Sequence, residues 1–188
     1  MREFIVTHLK LEHLLCGFIL ISRLGDIGST FLVTPTLKLE ANPIVRRLGW
    51  PFALLTLLVC FVPYFSTSMG IIILVPSLMV SASNTARIWF YRTYGESEAR
   101  DLFYQLARKS KLSQALLTSI VSALFVSLVG VLLVLLCPDP GKDWGYWFGI
   151  GFLAYALAIG FYGCLSFIPI FRQARRERPI QPSVARPD

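Results

Sequence analysis

The chain has 188 residues, of which 55% are hydrophobic and 15% charged, with a mean hydropathy of +0.62. Soluble domains run at roughly 45–50% apolar with about a quarter of residues charged, so this balance excludes an ordinary soluble domain and a disordered chain alike. The excess lies in long runs, the pattern of an all-α polytopic transmembrane helix bundle.

Five apolar runs follow one another, at 14–34, 50–65, 69–91, 112–137 and 144–171, and form a single transmembrane domain over 1–171. At about 1.5 Å rise per residue, a run of about twenty residues crosses a hydrocarbon core of about 30 Å. The second run is short at sixteen residues, and 43–49 extends it as a bent, interfacial turn. The breaks fall at Gly49-Trp50-Pro51, at Ser66-Thr67-Ser68 and at Pro138-Asp139-Pro140-Gly141, residues expected at helix ends. Beyond Phe171 the chain is rich in Arg and Pro, and 172–188 reads as a basic disordered cytoplasmic tail. The first run follows a mixed-charge segment (Arg2, Glu3, Lys10, Glu12) and is interrupted by Arg23 and Asp26, so it lacks a clean signal-peptide core.

Lys and Arg counts give the orientation. The segments 35–49, 92–111 and 172–188 carry thirteen of these residues, against three (Arg2, Lys10, Lys142) on the opposite side. Five spans with this bias place the N-terminus outside and the C-terminus in the cytoplasm of a cell (inner) membrane. The net charge of +7 then reflects orientation and attraction to anionic headgroups. The pI of about 9.5 comes with no nucleic-acid motif, so no nucleic-acid partner is expected. Trp144, Tyr146 and Trp147 mark the outer interface; Trp50, Trp89, Tyr91 and Tyr94 mark the inner one.

The inner segment 96–111 reads as a short amphipathic helix, with Ala99, Leu102, Phe103 and Leu106 on its apolar face. It either lies on the inner leaflet or docks a partner. Ala115, Ser119, Ala123 and Ser127 in the fourth run, and Gly145, Gly149, Gly160 and Gly163 in the fifth, are small-residue seams for helix packing or for an oligomer interface. Cys16, Cys60, Cys137 and Cys164 lie within or at the ends of apolar runs without C-x-x-C or zinc spacing and read as packing residues.

The polar residues inside the membrane carry the functional signal. Ser22, Arg23, Asp26, Ser29 and Thr30 share one face of the first span. An intramembrane charge costs on the order of 3 kcal/mol, and pairing Arg23 with Asp26 reduces that cost. From the span centres, Asp26 lies about 3 Å and Asn84 about 6 Å toward the cytoplasm, so the two stand at nearly one depth on parallel helices. Arg87 lies nearer the inner surface, at the level of Thr30. In the first inner loop, Asn42-Pro43 is a helix start with Glu40 just before it. The candidate polar site is therefore Arg23, Asp26, Ser29, Thr30, Glu40, Asn42, Asn84 and Arg87. Two readings stand: a structural set of buried pairs and caps, or a site for an ion, ligand or headgroup.

Several chemistries are excluded. Asp26 is a lone intramembrane aspartate, which does not serve an aspartyl protease. The two histidines, His8 and His13, precede the first span, and neither H-E-x-x-H nor a P-loop occurs. Asp26-Ile27-Gly28 does not supply the several aspartates of a CDP-alcohol transferase. No catalytic residue, metal or cofactor follows from the sequence.

Asp26-Ile-Gly-Ser-Thr30, followed by Glu40-Ala-Asn-Pro43, resembles a pattern of a widespread uncharacterised family of small polytopic membrane proteins. There D-x-x-[ST]-T stands in the first helix and E-x-N-P opens the second. The resemblance covers about 23–49 and implies that Asp26, Ser29, Thr30, Glu40, Asn42 and Pro43 act as a unit. It carries no activity. Three functions fit: binding or transport of a cation or small polar ligand, with Asp26 and Glu40 as carboxylates and Thr30, Asn42 and Asn84 as neutral ligands; a non-catalytic assembly subunit; and a lipid-headgroup enzyme using Arg23 or Arg87 for phosphate and Asp26 or Glu40 as base. The expected partners are the lipid bilayer and a second copy or another membrane protein.

Overall fold

A computed structural model describes residues 10–37 and 43–176, and all of its regular structure is helical. The helices are α1 (Leu11–Val33), α2 (Pro43–Leu48), α3 (Trp50–Leu55), which continues as a 3-10 helix over Thr56–Tyr64, α4 (Thr67–Lys109), α5 (Leu112–Leu136) and α6 (Trp144–Arg176). Four of them, α1, α4, α5 and α6, are long and apolar enough to cross a membrane.

Local chemistry sets the ends. Gly49, at φ 76°, breaks the chain between α2 and α3, and Pro51 lies in the first turn of α3, where its missing N–H is not needed. The Ser66 side chain accepts the Met69 N–H at 3.3 Å and caps α4. The Gln114 side chain accepts the Lys111 N–H at 3.1 Å at the start of α5. Between α5 and α6, Asp139 accepts the Gly141 N–H at 2.9 Å and Trp147 donates to the Pro140 carbonyl at 2.9 Å, closing the turn. Gly95, at φ 75° and ψ 170°, interrupts α4 and divides it into an apolar part, 67–94, and a polar part, 96–109.

α1 packs beside α4, α4 beside α6, and α6 beside α5, which leaves α5 at the edge of the bundle. The segment Trp50–Tyr64 lies against α1 and runs antiparallel to it, with Phe31–Trp50 ring contact at one end and His13–Tyr64 at the other. Leu15 and Ile19 of α1, Cys60, and Ile71 and Leu74 of α4 form a buried cluster there. Cys60 fills core space, and all four cysteines are free thiols. Pro76 offers no N–H to the Ile72 carbonyl. That oxygen faces Gly151 of α6, 3.3 Å from where a Cβ would stand, so the missing side chain lets the two backbones approach.

The α5–α6 seam is built on glycine. A Cβ on Gly149 would lie 2.8 Å from the Gly130 carbonyl oxygen, and one on Gly130 would lie 2.8 Å from the Gly149 oxygen. Ser119 faces Gly163, and Ala123 faces Gly160, in the same seam. The small residues of the fourth and fifth runs therefore meet within one chain.

The polar part of α4, 96–109, docks on the end of α6. Ala107 is buried with Phe171 and Ala174, the Arg108 Nε donates to the Ala174 carbonyl at 3.2 Å, and the Tyr104 hydroxyl donates to Gln173 at 2.8 Å. Of its expected apolar face, Ala99 is fully buried, whereas Leu106 stays 60% exposed. This docking extends α6 to Arg176, so the break expected after Phe171 does not occur there: Ala174 has a partner that holds residues 172–176 helical. The remainder of the expected tail lies outside the described residues.

The glycine contacts predict opposite outcomes for one substitution. Gly149→Ala forces a methyl group into a backbone oxygen and is expected to destabilise the protein by about 1–3 kcal/mol. Gly17→Ala meets nothing within 4 Å and is expected to leave stability unchanged or slightly raised. Thermal unfolding of the two variants in detergent separates them, and an equal loss would mean that α5 and α6 do not approach so closely.

Candidate functional site

Leu74, Ser77, Ser81 and Asn84 recur at helical spacing along the face of α4 that meets α1. Leu74 packs on Leu15 and Ile19, Ser81 meets Gly25 at the one place where α1 lacks a Cβ, and Asn84 meets Asp26. The seam is thus apolar in its first half and polar in its second.

At the polar end, the Asn84 Nδ2 donates to the Asp26 Oδ1 at 2.7 Å. Arg23 lies one turn before Asp26, and its guanidinium stands 3.5 Å from the other carboxylate oxygen. The two charged side chains keep 25% and 21% of their surface accessible, which makes them half-sheltered between helices. Asp26 is therefore bridged on one oxygen by an amide and on the other by a cation. Ser29, itself buried, donates to the Asp26 backbone carbonyl at 2.9 Å, and Ser22 donates to the Ile19 carbonyl at 3.3 Å. These hydroxyls satisfy α1 from within and leave the carboxylate to Arg23 and Asn84.

Two buried polar atoms have no hydrogen-bond partner among the described residues: the Arg23 Nε, next to Asp26, and the Ser77 Oγ, two turns before Asn84 on α4. Ser77 is 1% exposed. A buried donor without an acceptor is costly, and in native proteins such groups point to water, a ligand or strain.

Not every expected residue joins the cluster. Thr30 is half-buried and its carbonyl accepts the Thr34 N–H at 2.8 Å, which ends α1. Arg87 is exposed and makes no ion pair with Asp26 among the described residues. Glu40 and Asn42 lie outside the described residues; α2 begins at Pro43.

The carboxylate that the sequence reading left out of the site is Glu96. Both the Thr34 and the Thr36 hydroxyls donate to it, the latter at 2.7 Å. Thr34 is 3% exposed, so the contact is sheltered on the α1 side. Glu96 follows Gly95 directly, and the break in α4 at that glycine brings it back under the end of α1. Trp50 donates to the Pro35 carbonyl at 3.0 Å beside it. The sequence carried one signal for this, a glycine between an apolar and a charged stretch, but nothing in it pairs residue 34 with residue 96.

Among the described residues, no three histidine, cysteine or acidic side chains stand together as a metal centre. No protein-family model, no curated protein and no solved structure matches the chain.

The Arg23–Asp26–Asn84 geometry predicts a specific energetic pattern. Asp26→Leu leaves Arg23 unpaired between helices and is expected to cost about 3–5 kcal/mol, whereas Arg23→Leu/Asp26→Leu restores most of that loss. Asn84→Leu removes one charge-assisted hydrogen bond and is expected to cost about 1.5–3 kcal/mol. Unfolding of the three variants in the same detergent reads the pattern. A double variant no more stable than Asp26→Leu would show that the two charges are not coupled.

Proposed function

We propose that the chain is an integral protein of the cell (inner) membrane that crosses it five times, with its N-terminus outside and its C-terminus in the cytoplasm. The short second segment supports the fifth crossing through its winding. Between the His13–Tyr64 and Phe31–Trp50 contacts, α1 advances about 27 Å at 1.5 Å per residue. Trp50–Tyr64 covers the same interval with fewer residues, and its 3-10 portion rises at about 2.0 Å per residue. The stretched helix gives a segment too short for an α-helical crossing the reach of its neighbour.

We further propose that the polar half of the α1–α4 seam binds a cation or a small polar ligand reached from the cytoplasm. The observation that carries this is the Asp26 carboxylate, held between two apolar helices by Asn84 and Arg23, with the Arg23 Nε buried and without a hydrogen-bond partner among the described residues. A single carboxylate suits a monovalent cation or a proton better than a divalent metal, which takes several carboxylates. The incoming cation takes over the Asp26 charge from Arg23. Ser29, Thr30 and Thr34 follow Asp26 toward the inner end over about 12 Å. Glu96 stands at the end of that line, a second carboxylate at the inner mouth.

The other two functions have less behind them. The small-residue seams engage each other within the chain, so packing accounts for them without a second subunit. Arg87 is exposed and makes no ion pair with Asp26 among the described residues, which gives a headgroup enzyme less support.

Two measurements test these proposals. With single cysteines in a cysteine-free background, Leu48→Cys is expected to be shielded from an impermeant maleimide in intact cells and Phe65→Cys labelled; labelling on one side only for both would remove the fifth crossing. For the site, thermal stability is followed while Na⁺, K⁺ and H⁺ are titrated separately. One of them is expected to stabilise the wild type by about 2.7 kcal/mol at a hundredfold excess over its Kd, and to leave Asp26→Asn unaffected. Equal responses of the two proteins to all three ions, together with full function of Arg23→Leu/Asp26→Leu where deletion has an effect, would overturn the site.

A further inference from the structure

Outside the α1–α4 seam, Ile168, Pro169, Arg172, Gln173 and Arg176 line a concavity of about 580 Å³ at the end of α6. Arg172 and Arg176 are four residues apart, so their guanidinium groups stand one above the other on a single helix face. Both are exposed, and neither makes an ion pair among the described residues. The helix beneath them is held in place. On its other side Phe171 and Ala174 are buried against Ala107 and the Arg108 Nε donates to the Ala174 carbonyl, while Gln173, at the edge of the concavity, accepts from the Tyr104 hydroxyl. Two cations thus stand one turn apart on a helix end held by its neighbour.

The same face is apolar toward the middle of α6. Phe161 (63% exposed) and Leu165 (43% exposed) precede Ile168 and Pro169 at helical spacing. From Phe161 to Arg176 this strip runs about 22 Å, apolar for its first two turns and cationic for its last two. That sequence of polarity matches a phospholipid lying along a helix, with acyl chain below and phosphate above. Arg suits the phosphate because its planar fork donates two parallel hydrogen bonds. A soluble phosphate would leave the apolar lower wall without a role.

We propose that Arg172 and Arg176 bind the phosphate of an anionic phospholipid whose acyl chain lies along Leu165 and Phe161. This rests on the reading that α6 crosses a membrane and ends at its surface. The site adds to the general attraction between basic loops and anionic lipid a defined position with two cations above an apolar track.

The test compares the full-length wild type with Arg172→Gln/Arg176→Gln and with Arg46→Gln/Arg47→Gln, which removes the same charge from the end of α2. Each protein is exchanged into detergent with equal phosphatidylglycerol and phosphatidylcholine, and the lipid retained on it is quantified. The wild type is expected to retain the anionic lipid in about tenfold preference, Arg46→Gln/Arg47→Gln to keep that preference, and Arg172→Gln/Arg176→Gln to lose it. The two single Arg→Gln variants at 172 and 176 are expected to fall between. An unchanged preference in Arg172→Gln/Arg176→Gln overturns the site, and so does an equal loss in Arg46→Gln/Arg47→Gln, which would make the attraction diffuse. Displacement of the lipid by inorganic phosphate at millimolar concentration overturns the lipid assignment in favour of a soluble ligand. Release of the wild type from membranes by alkaline carbonate would instead defeat the membrane-spanning reading itself; retention there without lipid preference defeats the headgroup site alone.

Discussion

A carboxylate between two apolar helices constrains the geometry of everything near it. Asp26 needs partners from its own helix and from the next one, because a single face of α1 offers too few donors. Arg23 supplies the charge from one turn away, and Asn84 supplies the amide from α4 at 2.7 Å. That contact fixes the register of α1 against α4, since a slip of one turn would leave both the amide and the carboxylate without each other. It also explains why Gly25 is where it is: the Ser81 side chain occupies the space that a Cβ there would take.

The remaining helices are arranged around this pair by shape rather than by charge. α4 turns another face to α6, where Gly151 lies against Val75 and the Ile72 carbonyl. α6 then receives α5 through Gly130 and Gly149, whose backbones touch. Close backbone approach at these glycines brings many atoms into van der Waals contact and holds the helices together. Polar contact therefore sets register on one side of the bundle, and glycine sets distance on the other.

The end of the bundle that carries Thr34 and Glu96 is tied by polar groups that come from far apart in the chain. Glu96 receives Thr34 and Thr36, and 96–109 then runs across to Ala174 and Gln173 on α6. Gly95 makes both possible, since its positive φ turns the chain out of the α4 axis without a side-chain clash. One break thus places a carboxylate under α1 and a docking helix under α6.

The sequence by itself determined where the helices lie and several of their breaks. Hydrophobic runs mark what must leave water, and breakers such as Gly49-Trp50-Pro51 and Pro138-Asp139-Pro140-Gly141 act within a few residues, so both are local and legible. The pairing of Asp26 with Asn84 was accessible to a depth argument, because two polar residues at one level on parallel helices have few other partners. Tertiary structure decided the rest. The Thr34–Glu96 contact joins residues 62 apart, and no local pattern encodes it. Arg87 follows Asn84 by less than one turn, yet it stays exposed and does not join the Asp26 cluster, a distinction that depends on how α4 is packed. Residues 172–176 have a composition that favours disorder, and they are helical because Ala107 and Arg108 hold them. The 3-10 winding of Thr56–Tyr64 lets this segment match the stretch of α1 beside it, a match that only the tertiary structure shows.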